Sequence, residues 1–222
     1  MSEHATAAAA HARGPLAHQF DDLEQQHEAS LLGMWVFLVT EVMFFGGLFT
    51  GYTVYRTSYP EAFVAGSRRL DLVWGFINTM VLIASSLTMA LAVHAAQVGK
   101  RRALIGFLLA TMVLGSLFLG VKAYEYHHKW EEQLVPGHFQ ARGPLARQME
   151  LFFSFYFAMT GMHALHMVVG LGLLTFLVVM ASRGRFTPEH HAHVEISGLY
   201  WHFVDIIWIF LFPLLYLLGA MR

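Results

Sequence analysis

The sequence predicts an all-α protein, a polytopic membrane bundle of five transmembrane helices with no soluble catalytic domain. Three observations carry this. Hydrophobic residues make up 56% of the 222 and charged residues only 13%, which is too apolar for an ordinary soluble domain. The charges also gather between long apolar runs instead of scattering along the chain. Finally, five runs reach the roughly 20 residues that a helix needs to cross a bilayer core: Leu31–Tyr55, Leu72–Val98, Ala103–Val121, Leu151–Ala181 and Gly198–Leu218. None alternates apolar with polar residues as barrel strands do, and in lipid only helices and closed barrels satisfy their own backbone.

Residues 1–28 form a polar tail rich in Ala, His and Gln, with Asp21, Asp22 and Glu24 and no apolar core. It lacks the pattern of a cleaved signal peptide, and Ser30 is a candidate cap for the helix that follows. Residues 29–222 then make up the five-helix domain. Lys100-Arg101-Arg102 closes so short a turn that the second and third helices must be antiparallel neighbours. Lys122–Gln148 reads as a long loop whose Tyr124, Tyr126 and Trp130 suit the membrane interface. Pro188 and the His190-His191-Ala192-His193 cluster mark the last loop. Small residues offer packing seams: Gly47 with Gly51, Gly106 with Ala110, Thr111 with Gly115, Ser116 with Gly120, and Gly161, Gly170 and Gly172.

Several function classes fall away at this stage. No basic stripe exists for nucleic acid. With no cysteine, disulfides, iron–sulfur clusters and thiolate metal sites are excluded. No internal repeat supports an inverted-repeat transporter. Sidedness is not decided by charge. Arg13, Lys100, Arg101, Arg102, Arg183 and Arg185 fall on the N-terminal side. Against them stand Arg56, Arg68, Arg69, Lys122, Lys129, Arg142, Arg147 and Arg222 on the far side, and the positive-inside rule needs a larger imbalance. The dense Lys100–Arg102 turn leans toward a cytoplasmic N-terminus.

Ionisable residues inside the spans are the candidate functional positions. Glu41 lies eleven positions into its run, roughly 15 Å from the start at 1.5 Å per residue. It is either part of a proton relay or ion site, or a protonated or hydrogen-bonded carboxyl that holds helices together. A relay needs a chain of such groups and this helix supplies one, which favours the second reading. His163 and His166 share a helix face, and His202 and Asp205 repeat that spacing. Imidazoles suit zinc, copper or haem iron, yet no further ligand set lies at matching depth. A hydrogen bond from Asp205 to an imidazole is the simpler way to settle both in lipid. These five residues are therefore expected to be structural, with no catalytic, cofactor-binding or metal-binding residue in the chain. The His190–His193 cluster reads as an exposed loop that could bind a metal only adventitiously, and His127-His128 lies at a helix end or loop, where a pair of histidines is weak evidence of a site.

The residues then match a known family. The chain resembles subunit III of the haem–copper respiratory oxidases in its short bacterial five-helix form. The match rests on Gly33-Met-Trp-Val-Phe-Leu-Val-Thr-Glu41, on Asn78-Thr79 with Ser85-Ser86, on Thr160-Gly161-Met-His163-Ala-Leu-His166, and on Trp201-His202-Phe203-Val204-Asp205-Ile-Ile-Trp208. The resemblance implies a metal-free companion subunit of a proton-translocating cytochrome c oxidase, with haem and copper in partner subunits. It implies direct packing on the catalytic subunit I, contact with other oxidase subunits, bound phospholipid, support of proton uptake and turnover, and a bacterial inner membrane with a cytoplasmic N-terminus. Longer members carry two further helices that help build the lipid cleft, and many place a glutamine where this chain has Lys122. A subunit of a quinol oxidase or nitric oxide reductase, and an independent proton-conducting protein using Glu41, stay as alternatives. The electron donor, the lipid and membership of a respiratory supercomplex are not written in the sequence.

Overall fold

The computed structural model describes residues 20, 22–139, 144–186 and 191–217. Six helices follow one another there: α1 (Leu23–Ser58), α2 (Pro60–Ser67), α3 (Leu72–Gln97), α4 (Arg101–Glu131), α5 (Ala146–Ser182) and α6 (Ala192–Tyr216). All but the eight-residue α2 are long and apolar enough to span a membrane. The chain is a multi-pass all-helical membrane protein.

The helices outrun the apolar windows. α1 begins at Leu23, inside the segment read as a polar tail, because Asp22 rather than Ser30 caps it: the Asp22 carboxylate accepts from the Gln25 amide at 2.7 Å. Ser30 instead donates to the Gln26 carbonyl one turn back. α4 runs on to Glu131, so the first ten residues of the expected Lys122–Gln148 loop are helix. α5 starts at Ala146 and α6 at Ala192, each a turn or more before its apolar run. At 36 and 37 residues, α1 and α5 are each about 55 Å long and overhang a bilayer core of about 30 Å. Hydropathy finds the part of a helix that lipid touches, not the polar turns beyond it.

α2 escaped the sequence reading because eight residues give no membrane signal, although Pro60 at its first turn is a start signal. It folds back under the bundle and buries Phe63 against Tyr52 and Phe152. The α3–α4 turn forms as expected. Gly99 adopts φ 70°, and the Lys100 amide returns to the Ala95 carbonyl at 2.9 Å, a left-handed stop that only glycine takes without strain.

α6 is the hub. It packs against α3, α5 and α1, while α4 closes the ring between α3 and α5. Trp201 fixes that arrangement: a Cβ at Gly115 of α4 would lie 2.8 Å from its ring, and one at Gly170 of α5 would lie 2.9 Å away. The indole therefore fits only between two glycines. Gly51 likewise admits Phe155, but Gly47, Gly106, Gly120 and Gly172 have nothing within 4 Å and are not seams among the described residues. The ends of α6 and α5 are tied by side chains. Tyr52 and Ser67 donate to the Leu214 and Leu215 carbonyls at 2.8 and 2.7 Å, and Arg101 donates to the Ala181 and Ser182 carbonyls. These are carbonyls that a helix end leaves without partners.

Candidate functional site: two buried polar clusters

The intramembrane polar residues fall into two groups at different depths. The first lies near the middle of the spans. Glu41 of α1 meets His166 of α5, with Oε2 3.0 Å from Nε2, and the two side chains are only 19% and 13% exposed. His166 Nδ1 lies 2.8 Å from the Met162 carbonyl. A carbonyl cannot donate, so Nδ1 carries a hydrogen, and the Nε2–Oε2 bond holds one proton on either the imidazole or the carboxyl. Either way the pair is neutral overall, as a hydrocarbon environment demands. Tyr200 of α6 donates to the His166 carbonyl at 3.1 Å and brings a third helix to the site.

On the α3 side, Ser86 Oγ lies 2.8 Å from His202 Nδ1. The Trp201 and Trp208 indole N–H groups donate to Ser85 and Thr79, each at 3.0 Å. Thr79, Ser85 and Ser86 are therefore the sockets by which α3 holds α6, while Asn78 turns the other way and donates to the Phe118 carbonyl of α4 at 3.4 Å.

Two expectations fail here. Asp205, 4% exposed, makes no hydrogen bond to an imidazole, and neither carboxylate oxygen has a partner among the described residues. The physical reason is that His202 has turned its Nδ1 to Ser86. Nor does His163, 1% exposed, tie helices through hydrogen bonds. Both ring nitrogens lack partners among the described residues, and the ring packs on Phe118 and Trp208 at centroid distances of 5.4 and 5.2 Å.

The second group lies nearer the far side, where α4, α5 and α6 converge. Lys122 is buried, and its ammonium donates to Glu125 Oε2 at 2.9 Å, Tyr156 Oη at 3.1 Å and Tyr216 Oη at 2.9 Å. Tyr216 donates in turn to the other oxygen of Glu125 at 2.7 Å. All three ammonium hydrogens are used, and both carboxylate oxygens accept. Below it, Lys129 binds Glu132 at 2.6 Å and the Arg69 carbonyl at 2.7 Å. Tyr126 and Thr160 meet at 2.6 Å, and Thr160 donates its own hydrogen to the Tyr156 carbonyl. Among the described residues no three histidine, aspartate or glutamate side chains converge as metal ligands.

A family model for cytochrome c oxidase subunit III matches residues 25–220. The chain belongs to the cytochrome c oxidase subunit III family. Its similarity to relatives runs nearly end to end. It is 32% identical to subunit 3 of the cytochrome bo(3) ubiquinol oxidase of Pseudomonas aeruginosa, over 93% of each chain. It is 35% identical to cytochrome c oxidase subunit 3 of Synechocystis, over 85% of this chain and 75% of that one. The counterpart in Corynebacterium diphtheriae is 34% identical, over 83% and 86%. Relatives named for both donors thus match, and the similarity alone does not choose between cytochrome c and quinol.

Within this subunit III fold, Glu41 and His166 come together, whereas His163, His202 and Asp205 each face different neighbours. Lys122, Glu125, Lys129, Tyr156 and Tyr216 were the functional-looking residues that the sequence reading placed in a loop or passed over. The signal was present as the spacing of three between Lys122 and Glu125 and between Lys129 and Glu132, which pairs charges on a helix. Lys122 and Lys129 also leave the tally of loop charges, which makes the two sides equal. His127 and His128 sit exposed at the end of α4 beside Glu131 and Glu132. His191 pairs with Glu195 at 3.0 Å. His190 lies outside the described residues.

Proposed function

We propose that this chain is the metal-free subunit III of a terminal respiratory oxidase in a bacterial inner membrane, with its N-terminus cytoplasmic. It packs beside the haem–copper catalytic subunit I and other oxidase subunits, stabilises them, and supports proton uptake during electron transfer to dioxygen. The redox groups reside in those partners. The observation that carries this reading is the match over residues 25–220 to the subunit III family. It is supported by a bundle that buries the Glu41–His166 and Lys122–Glu125 pairs and turns large apolar side chains outward. Phospholipid is expected to fill the grooves between its helices, and the donor is taken as cytochrome c with quinol as the alternative, since relatives named for each match.

A pull-down in mild detergent with a haem absorption spectrum tests this. The tagged chain should bring down a haem-bearing membrane subunit and oxygen-consuming activity. A chain that purifies alone and conducts protons after reconstitution would replace this reading with an independent conductor centred on Glu41.

A further inference from the structure

One group in the bundle faces outward where it should not. His202 is only partly buried near the middle of α6, and it lines a cavity of about 390 Å3 between α3 and α6 together with Ser86 and Asp205. Its Nδ1 is taken by Ser86, and its Nε2 has no hydrogen bond among the described residues. Asp205, one turn along, contributes a buried carboxyl whose two oxygens are also without partners there. Around this polar floor stands a rim of Ile83, Leu87, Ile206 and Ile209, each at least 47% exposed. Polar groups at that depth in hydrocarbon need a hydrogen-bonding partner.

The depth narrows what that partner is. Asp205 lies about 20 Å from the start of α6 at 1.5 Å per residue, close to the bilayer middle. A phospholipid headgroup stays about 15 Å away at the edge of the core, and acyl chains carry no donor. A polar side chain on a neighbouring transmembrane helix reaches that level, and such side chains are the usual glue between helices in lipid. The flanking surface suits a helix: Phe76, Ile77, Met80 and Leu91 of α3 and Phe210 of α6 continue the apolar rim.

Resting on the reading as an oxidase subunit, we infer that the α3–α6 face is the docking surface for a transmembrane helix of a neighbouring oxidase subunit, which places a hydrogen-bonding side chain against His202 and Asp205.

The test places a photo-crosslinking residue, p-benzoylphenylalanine, at Ile83 or Ile206, and at Val169 on the outer face of α5 as the comparison, in the complex within native membranes. Illumination should join the chain to another membrane-spanning subunit from Ile83 and Ile206 at ten times the yield from Val169 or more. The partner peptide should carry a polar residue at mid-span. In parallel, His202→Phe should lower the fraction of chain retained through a detergent wash several-fold, with helicity unchanged. Adducts confined to lipid, to a quinol or to a second copy of this chain, or equal yields at all three positions, would overturn the inference while haem co-purification leaves the oxidase reading standing. Failure of any haem-bearing subunit to co-purify would remove both.

Discussion

Near the middle of the bundle, Glu41 and His166 are joined by one hydrogen bond, and His163 and Asp205 are buried with none among the described residues. Toward the far side, Lys122 uses all three of its hydrogens on Glu125, Tyr156 and Tyr216. Both regions bury ionisable groups, yet they do so differently. The first is lightly bonded, with one proton shared between Glu41 and His166, whereas the second joins an ammonium to a carboxylate and surrounds both with hydroxyls. A buried ion pair holds a structure together only when every remaining hydrogen and lone pair is used, and that condition is met at Lys122. The difference teaches that hydrogen-bonded charge fixes how α4, α5 and α6 converge near the far side, while the middle is held by single hydrogen bonds and by the packing of Trp201.

The comparison can be broken most forcefully at Glu125. Glu125→Leu strands the Lys122 ammonium, and the cost of about 3–5 kcal/mol expected for an orphaned buried charge should appear in detergent unfolding and in loss of the chain from the complex. Adding Lys122→Met should recover most of that loss, which a double-mutant cycle measures. A change below about 1 kcal/mol in the single variant would mean that the pair is hydrated and the contrast false.

Gly170→Leu comes next. Its side chain collides with Trp201, and overpacking of this kind costs about 1–3 kcal/mol. Gly172→Leu, with open space around it, should shift unfolding by less than about 0.5 kcal/mol, so the two variants together read how rigid the Trp201 socket is. His166→Leu removes the partner of Glu41 and should cost about 1–3 kcal/mol, less than the Glu125 variant. Glu41→Gln is expected to be the mildest. An amide can still donate to His166 Nε2, so stability should change by under about 1 kcal/mol and oxygen consumption by the complex should persist. Turnover that collapses in this variant while assembly stays normal would make Glu41 a direct carrier of protons.

What the sequence disclosed follows from what each signal measures. The five spans were legible because lipid imposes a long apolar window on each. The ends were not, since Lys122–Glu131 and Ala192–Ser197 are helical beyond that window and their charges resemble a loop. Glu41 and His166 could each be flagged as buried, but a partnership across 125 positions leaves no local trace. The spacing of three between His202 and Asp205 did leave one, and it misled, because a nearer hydroxyl on α3 competed for the imidazole. Trp201 and its two glycines were visible only separately, as a family motif and as small residues on other helices.

The proton held between Glu41 and His166 also has an electrical consequence. Moving it from one residue to the other displaces a unit charge by at most the 3.0 Å between the heavy atoms. Against a core of about 30 Å, that is at most about a tenth of the membrane field, or about 0.2 kcal/mol at 100 mV. The pair is therefore nearly blind to membrane voltage: an energised and a de-energised membrane bias its proton by less than the thermal energy of about 0.6 kcal/mol.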